Sequence, residues 1–190
     1  NLAIESGGGS LEMGDLADRR DLAIRNIAEL AGVTANLQSD GQATVFVGGH
    51  AVVNGSEARM LTVDNSGPGT PRVMLEVDTG SVNVNNVLSG QIGGHLDAYN
   101  ATSGYIDDLN TFTVDFATAM NTQHAAGFDL NSAPGGDLFT FDPLDPSATM
   151  GFSSAIAEDP DSLAFAGASP AMAGDGDNLL ALMDLEEQMV

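Results

Sequence analysis

The chain has 190 residues, with 27 acidic side chains against five arginines, no lysine and no cysteine, for a formal charge of −22. That balance argues against a nucleic-acid partner, because phosphate binding needs cations that release counterions, and against an anionic membrane surface. Without cysteine there is no disulfide scaffold, thiolate metal centre or thiol nucleophile. The length suits one or two modest domains with their own cores. No apolar run approaches a bilayer span and no signal peptide is visible. The acidity itself reads as solubility and self-repulsion.

Leu2 to Glu5 read as the end of a helix stopped by Gly7, Gly8 and Gly9. The next helix starts at Ser10 or Asp15 and runs to about Ala31, with Leu16, Ala23, Ile27 and Leu30 at helical spacing. Asp15–Arg19 and Asp21–Arg25 stand at i,i+4 with the acid first, the better orientation, though each such pair is worth only ~0.3 kcal/mol. Arg19 and Arg20, flanked by Asp18 and Asp21, read as an ion-pair face ahead of a binding site.

After Gly32 the period changes to two. Val33, Ala35 and Leu37 alternate with polar residues, Val45 and Val47 follow, and Ser39-Asp40-Gly41 between them is a hairpin signal. Further strands are expected at 51–54, 59–63 and 72–77, with Ser66-Gly67-Pro68-Gly69 as a turn. This is the pattern of a small antiparallel meander.

From about Ser89 the helical period returns through Ile92, Leu96, Tyr99, Ile106, Leu109, Phe112, Phe116 and Met120. A continuous helix of ~30 residues spans ~45 Å. Gly93, Gly94 and Gly104 each cost ~1 kcal/mol relative to Ala inside a helix, so a start near Gly94 and a bend near Gly104 are expected. The apolar stripe should be buried against Leu16, Ile27 and Leu30. Gly127 reads as the C′ glycine of this helix. Asp129, Asn131, Pro134, Gly135 and Gly136 supply turn chemistry, and Leu138, Phe139 and Phe141 restart an extended run.

Beyond Phe141 the chain is punctuated by prolines, with short strands or turns at 152–156 and 163–165. Asp177 reads as the N-cap of a last helix carrying Leu179, Leu182 and Met183, truncated at Val190 with a final turn that should fray. The fold class is α+β: a helical rod-like part of antiparallel helices interrupted by a small antiparallel β subdomain. Residues 1–31, 89–127 and 174–190 are assigned to the helical domain, and 32–88 to the β subdomain, joined by strands from 128–173.

No residue is assigned a catalytic, cofactor-binding or metal-binding role. His50, His95 and His124 are singletons in the sequence; His124 suits a helix C-terminus, where the dipole favours a cation. A Ser-His-Asp set has no nucleophile-elbow motif behind it, and the glycine-rich runs lack the lysine of a phosphate loop. Calcium is the better-motivated chemistry, through Asp129, Asn131 and Asp137 in one loop and Asp175-Gly176-Asp177 in another. The EF-hand spacing fails at Ala133, however, and no glutamate stands at the twelfth position. Neither enzymatic activity nor an obligatory metal is expected. A secreted acidic calcium-binding or adhesive module is the alternative reading, and an extracellular hydrolase using an acidic loop is the third.

Three segments together resemble one family. Asn121–Phe139 (NTQHAAGFDLNSAPGGDLF), Asp15–Val33 (DLADRRDLAIRNIAELAGV) and Gly174–Gln188 (GDGDNLLALMDLEEQ) are similar, in this order, to the flagellar hook-associated protein 1 family of bacterial hook–filament junctions. The resemblance implies a core fragment lacking the family's terminal helical regions and the larger inserted domain of some relatives. It also implies a structural protein, exported unfolded through the flagellar type III apparatus and located outside the cell. Its partners would be copies of itself, the hook protein, the adjoining hook-associated junction protein, and an export chaperone acting through the missing C-terminal region. The fragment alone should be monomeric or weakly associating.

Overall fold

A computed structural model of the protein describes residues 10–67 and 69–188. The expected helix end at Leu2–Glu5, Pro68 of the expected turn and the terminus at Val190 lie outside the described residues. Contacts divide the chain into two compact units, residues 1–103 and 104–190. The architecture is α+β, as the residue pattern implied.

The first unit opens with helix α1 (Ser10–Ala31). Strands β1 (Thr34–Leu37), β2 (Ala43–Val47), β3 (His50–Asn54) and β4 (Glu57–Ala58) follow as an antiparallel sheet in sequence order. A second antiparallel sheet holds β5 (Leu61–Asp64), β6 (Arg72–Val77) and β7 (Gly80–Asn83). Strand β2, ATVFV, is buried nearly throughout, as a central strand covered on both faces requires. One core joins both sheets to the helix ends. Val45, Val47 and Val52 meet Val73 and Leu75, with Ala31, Val84 and Leu88 beside them. Each fully buried Val or Leu side chain contributes about 1.5–3 kcal/mol relative to exposure.

Asn85 locks the return into the next helix. Its Oδ1 accepts the Val73 N–H at 2.7 Å and its Nδ2 donates to the Pro71 carbonyl at 2.8 Å. Helix α2 (Gly90–Ala125) then runs unbroken for 36 residues. It starts four residues before the expected Gly94, and it passes through Gly94 and Gly104 without interruption. Gly93 is needed there for space, since a Cβ would sit 2.7 Å from the Leu88 carbonyl oxygen.

The second unit contains the C-terminal part of α2, a loop, β8 (Phe139–Thr140), α3 (Pro146–Thr149), β9 (Gly151–Phe152), α4 (Ser154–Glu158) and α5 (Asp177–Gln188). Among the described residues strands β8 and β9 pair only with each other. The strands of 128–173 therefore make a separate two-residue ribbon and do not extend the sheets of 32–88. The core of this unit is Ala117, Leu138, Ile156, Ala164, Ala166 and Leu182.

Two packing expectations are corrected. In β1 all four residues are exposed, Ala35 and Leu37 included, so the alternation there does not mark a buried face. In α2 only Ile92 and Leu96 pack on the first core, and Phe116 and Met120 are half-buried. Tyr99, Ile106, Leu109 and Phe112 are exposed, as are Ile27 and Leu30 of α1. Helical period marks which positions are apolar; it does not supply the surface that covers them, and no described residue does so here.

Candidate functional site: the His124 knot and the open helix faces

The segment that follows the last turns of α2 folds into a knot of polar bonds, anchored by three side chains on that helix. Asn121 Oδ1 accepts the N–H groups of Leu138 and Phe139 at 2.9 and 2.8 Å, and its Nδ2 donates to the Phe139 carbonyl at 2.8 Å. Gln123 donates to Asn178 Oδ1 at 2.7 Å. Asn178 in turn donates to the Ala164 carbonyl at 2.6 Å.

His124 is the centre of the knot and is fully buried. Its Nε2 accepts the Ala164 N–H at 2.9 Å, and its Nδ1 stands 2.7 Å from the Gly136 carbonyl oxygen. One nitrogen must therefore accept and the other donate, which assigns the neutral ring with its proton on Nδ1. The expectation of a dipole-stabilised cation is overturned. The helix end is covered by the 127–136 loop and the 164–166 segment, so both ring nitrogens meet backbone and neither meets water.

The glycines make room for this. At Gly127 a Cβ would lie 2.1 Å from Asn178 Nδ2 and 2.4 Å from the Ala164 carbonyl oxygen; at Gly135 it would lie 2.3 Å from the His124 carbonyl oxygen. Gly127 is not among the glycines with positive φ, so close approach, and not a left-handed stop, is what it serves. Between them, Asp129 Oδ1 accepts the N–H groups of Asn131 and Ala133, both at 2.8 Å. Phe128 and Ala166 exchange two backbone bonds. Every fully enclosed polar side-chain atom among the described residues has a partner.

The start of α5 also differs from expectation. Asp177 is its first residue, and the first intrahelical acceptor is the Gly176 carbonyl, which takes the Leu180 N–H at 3.0 Å. The carboxylate that serves this end belongs to Asp175. It accepts from the N–H groups of Gly167 at 3.1 Å and Asp177 at 3.2 Å. These bonds, Gly167 first, hold the Asp175 carboxyl below the ordinary carboxylate range.

The sequence-singled residues are not brought together. His50 lies on β3 and His95 on α2, both exposed and in the first unit, whereas His124 is in the second. Among the described residues no group of three or more His, Asp or Glu side chains could hold a metal ion, and the Asp129 and Asp175 carboxylates are engaged in turn bonds, so the calcium alternative finds no support. Of the ion pairs, Arg19–Asp15 forms at 2.9 Å with both side chains largely exposed. The expected Asp21–Arg25 pair does not form, since the Asp21 carboxylate is taken by Arg20 at 2.7 Å. Arg25 instead reaches the Asp21 carbonyl at 3.4 Å.

Among its charged surface the molecule also exposes apolar side chains. Tyr105, Ile106, Leu109 and Phe112 are each at least half exposed along α2. Phe112 begins a row of rings through Phe116, Phe139 and Phe152, with centroids 6.0, 5.7 and 5.2 Å apart. In the second unit an apolar groove of about 600 Å³ opens between Met120, Phe139, Phe152, Leu163, Phe165 and Met183. Periodicity identified the α2 residues as apolar, but nothing in the sequence marked them as uncovered.

The chain itself is similar to known proteins. The family described as flagellar hook-associated protein FlgK helical domain matches residues 1–139. The chain is 31% identical over 132 residues to flagellar hook-associated protein 1 of Escherichia coli K12, covering 66% of this chain and 24% of that protein. It is 29% identical over 133 residues to the Salmonella typhimurium protein of the same name, again 66% and 24% of the two lengths. The solved structure of the flagellar hook junction protein FlgK from Burkholderia pseudomallei superimposes with a TM-score of 0.59 at 28% identity, covering 70% of this chain and 26% of that one. The chain thus spans about a quarter of the length of these relatives. With its α+β architecture and a family match over residues 1–139, the chain belongs to the flagellar hook-associated protein FlgK family.

Proposed function

We propose that this chain is a structural part of the bacterial flagellum, packing at the junction between hook and filament, and that it catalyses no reaction. The observation that carries the reading is the family membership joined to the open apolar face of α2, where Ile106, Leu109 and Phe112 stand half exposed. Apolar patches of this kind mark surfaces that protein partners cover. The partners are copies of the protein, the hook protein and the adjoining hook-associated junction protein, with an export chaperone acting through a C-terminal region. The site of action is extracellular. A chain without cysteine suits passage in an unfolded state through a narrow export channel, because no disulfide has to be opened. Immunogold labelling of flagella from the source organism with antibodies to this chain is the test. Label confined to the hook–filament boundary is expected; label along the filament, or none on flagella, would overturn the reading.

A further inference from the structure

The charge of this chain is unevenly placed. All five arginines and twelve of the acids lie in residues 1–103, whereas residues 104–190 carry fifteen acids and neither arginine nor lysine. For such a polyanion, contact between two copies is least repulsive where the cations concentrate. Three of the five arginines are on α1, and two of them, Arg19 and Arg25, border an open groove of about 740 Å³ between α1 and β1. Its apolar lining includes Leu22 and Leu37, which are 53% and 63% exposed. Asp18 and Asp21 also border it, and Asp21 is already taken by Arg20. The rim is therefore about neutral in a molecule of charge −22. Arg25 has no carboxylate partner among the described residues.

The second unit carries a complementary feature. Leu144 is 92% exposed at the tip of the turn Asp142-Pro143-Leu144-Asp145. The turn is held from within, by the Leu144 N–H donating to Asp142 Oδ1 at 2.9 Å and the Asp145 N–H donating to the Asp142 carbonyl at 3.0 Å. Asp145 precedes α3 without a side-chain bond to it, which leaves its carboxylate free to bond outward. The turn is thus a preorganised apolar knob with an acid on either side. The groove is an apolar floor bordered by Arg25, while Arg19 at the same rim is already held by Asp15 at 2.9 Å.

We propose that the groove between α1 and β1 receives the Asp142–Asp145 turn of a second copy of this chain, with Leu144 seated on Leu22 and Leu37 and Asp145 meeting Arg25. The proposal rests on the reading above that copies of the protein pack together, and it names one contact by which they do so. Knob and groove are different surfaces, so each contact leaves one of each free and the association propagates head to tail. Exposed ion pairs are weak and screened by salt, so the association is weak and salt-sensitive.

Sedimentation of the purified chain at hundreds of micromolar tests this. Self-association is expected at low salt and should be lost at about 1 M salt, where the screening length is about 3 Å. R25E and D145R should each weaken association at least about fivefold, with unchanged circular dichroism because both sites are exposed. An equimolar mixture of R25E and D145R restores every opposite-charge contact and should associate like the original chain. A chain that stays monomeric at low salt, association indifferent to either substitution, or a mixture that fails to recover would each overturn the proposal. Those outcomes leave the immunogold result untouched, so failure of this contact is distinguishable from failure of the junction reading.

Discussion

The imidazole of His124 and the backbone of Ala164, forty residues apart, are joined by a 2.9 Å bond in which the ring nitrogen accepts. The same ring donates to the Gly136 carbonyl from its other nitrogen, so one side chain closes both the loop after α2 and the segment that leads to α5. His124→Ala leaves an N–H and a carbonyl buried without partners, at about 1–3 kcal/mol each. We expect a loss of roughly 2–4 kcal/mol in urea denaturation. His95→Ala, on an exposed face of α2, should stay within about 0.5 kcal/mol. Nitrogen-15 spectra should find the His124 proton on Nδ1; a proton on Nε2 would contradict the bonding described.

Glycines of opposite character give a paired test. Gly104 is inside α2 with open space where a side chain would go, whereas a Cβ on Gly135 would strike the His124 carbonyl at 2.3 Å. Gly104→Ala should raise stability by about 0.5–1 kcal/mol, through helix propensity and a less flexible unfolded chain. Gly135→Ala should lower it. Thermal melts of the two variants measure both; a destabilising Gly104→Ala would mean that position has a constraint not seen here.

Acid should weaken the start of α5 and the β5–β6 turn. The Asp175 carboxyl is lowered by the Gly167, Asp177 and Ala168 N–H groups, and the Asp64 carboxyl by the Ser66 hydroxyl and N–H and then by Arg72. Both folded-state values lie below the unfolded ones. The stability each contributes is therefore fully present above the unfolded-state value and is lost as pH falls through the folded-state value. Asp175→Ala should lower stability at neutral pH and flatten the acid limb, read from denaturation midpoints down to about pH 2. An unchanged acid limb would show that Asp175 does not contribute to it.

Leu109→Ser and Phe112→Ser should separate folding from assembly. Both side chains are more than half exposed, so Leu109→Ser should move the melting of the isolated chain by no more than about 0.5 kcal/mol, and Phe112→Ser, which also loses the ring contact with Phe116, by no more than about 1.5 kcal/mol. In cells the same substitutions should reduce the amount of protein recovered with purified flagella. Full recovery would show that this face of α2 is not covered in the assembly.

The sequence was most legible where a signal is local. Both long helices follow from the spacing of Leu16, Ile27 and Leu30 and of Ile92 through Met120, and β2 and β6 follow from their valines. Strands β4 and β7 escaped, because Glu57–Ala58 is two residues long and Gly80–Asn83 holds Val82 as its one large apolar residue. Gly127 was recognisable as a special position, but its reason was not, since Asn178 arrives from 51 residues later to occupy the space. For the same reason His124 read as a helix-end cation: the carbonyl and N–H that fix its ring come from Gly136 and Ala164. The candidate surfaces were the least legible part, because an apolar stripe has the same spacing whether it is covered or bare.

The bare stretch of α2 inverts the usual profile of a helix. Gly93 near one end and Ala117 towards the other are buried, whereas every residue from 104 to 109 is exposed. Helices ordinarily exchange amide hydrogens fastest at their frayed ends. Here the ends are clamped by packing, and the middle turns are held by backbone bonds that water can reach. Amide exchange should therefore be fastest at the centre of α2, around Gly104, which places the most readily opened turns of this helix midway along its length.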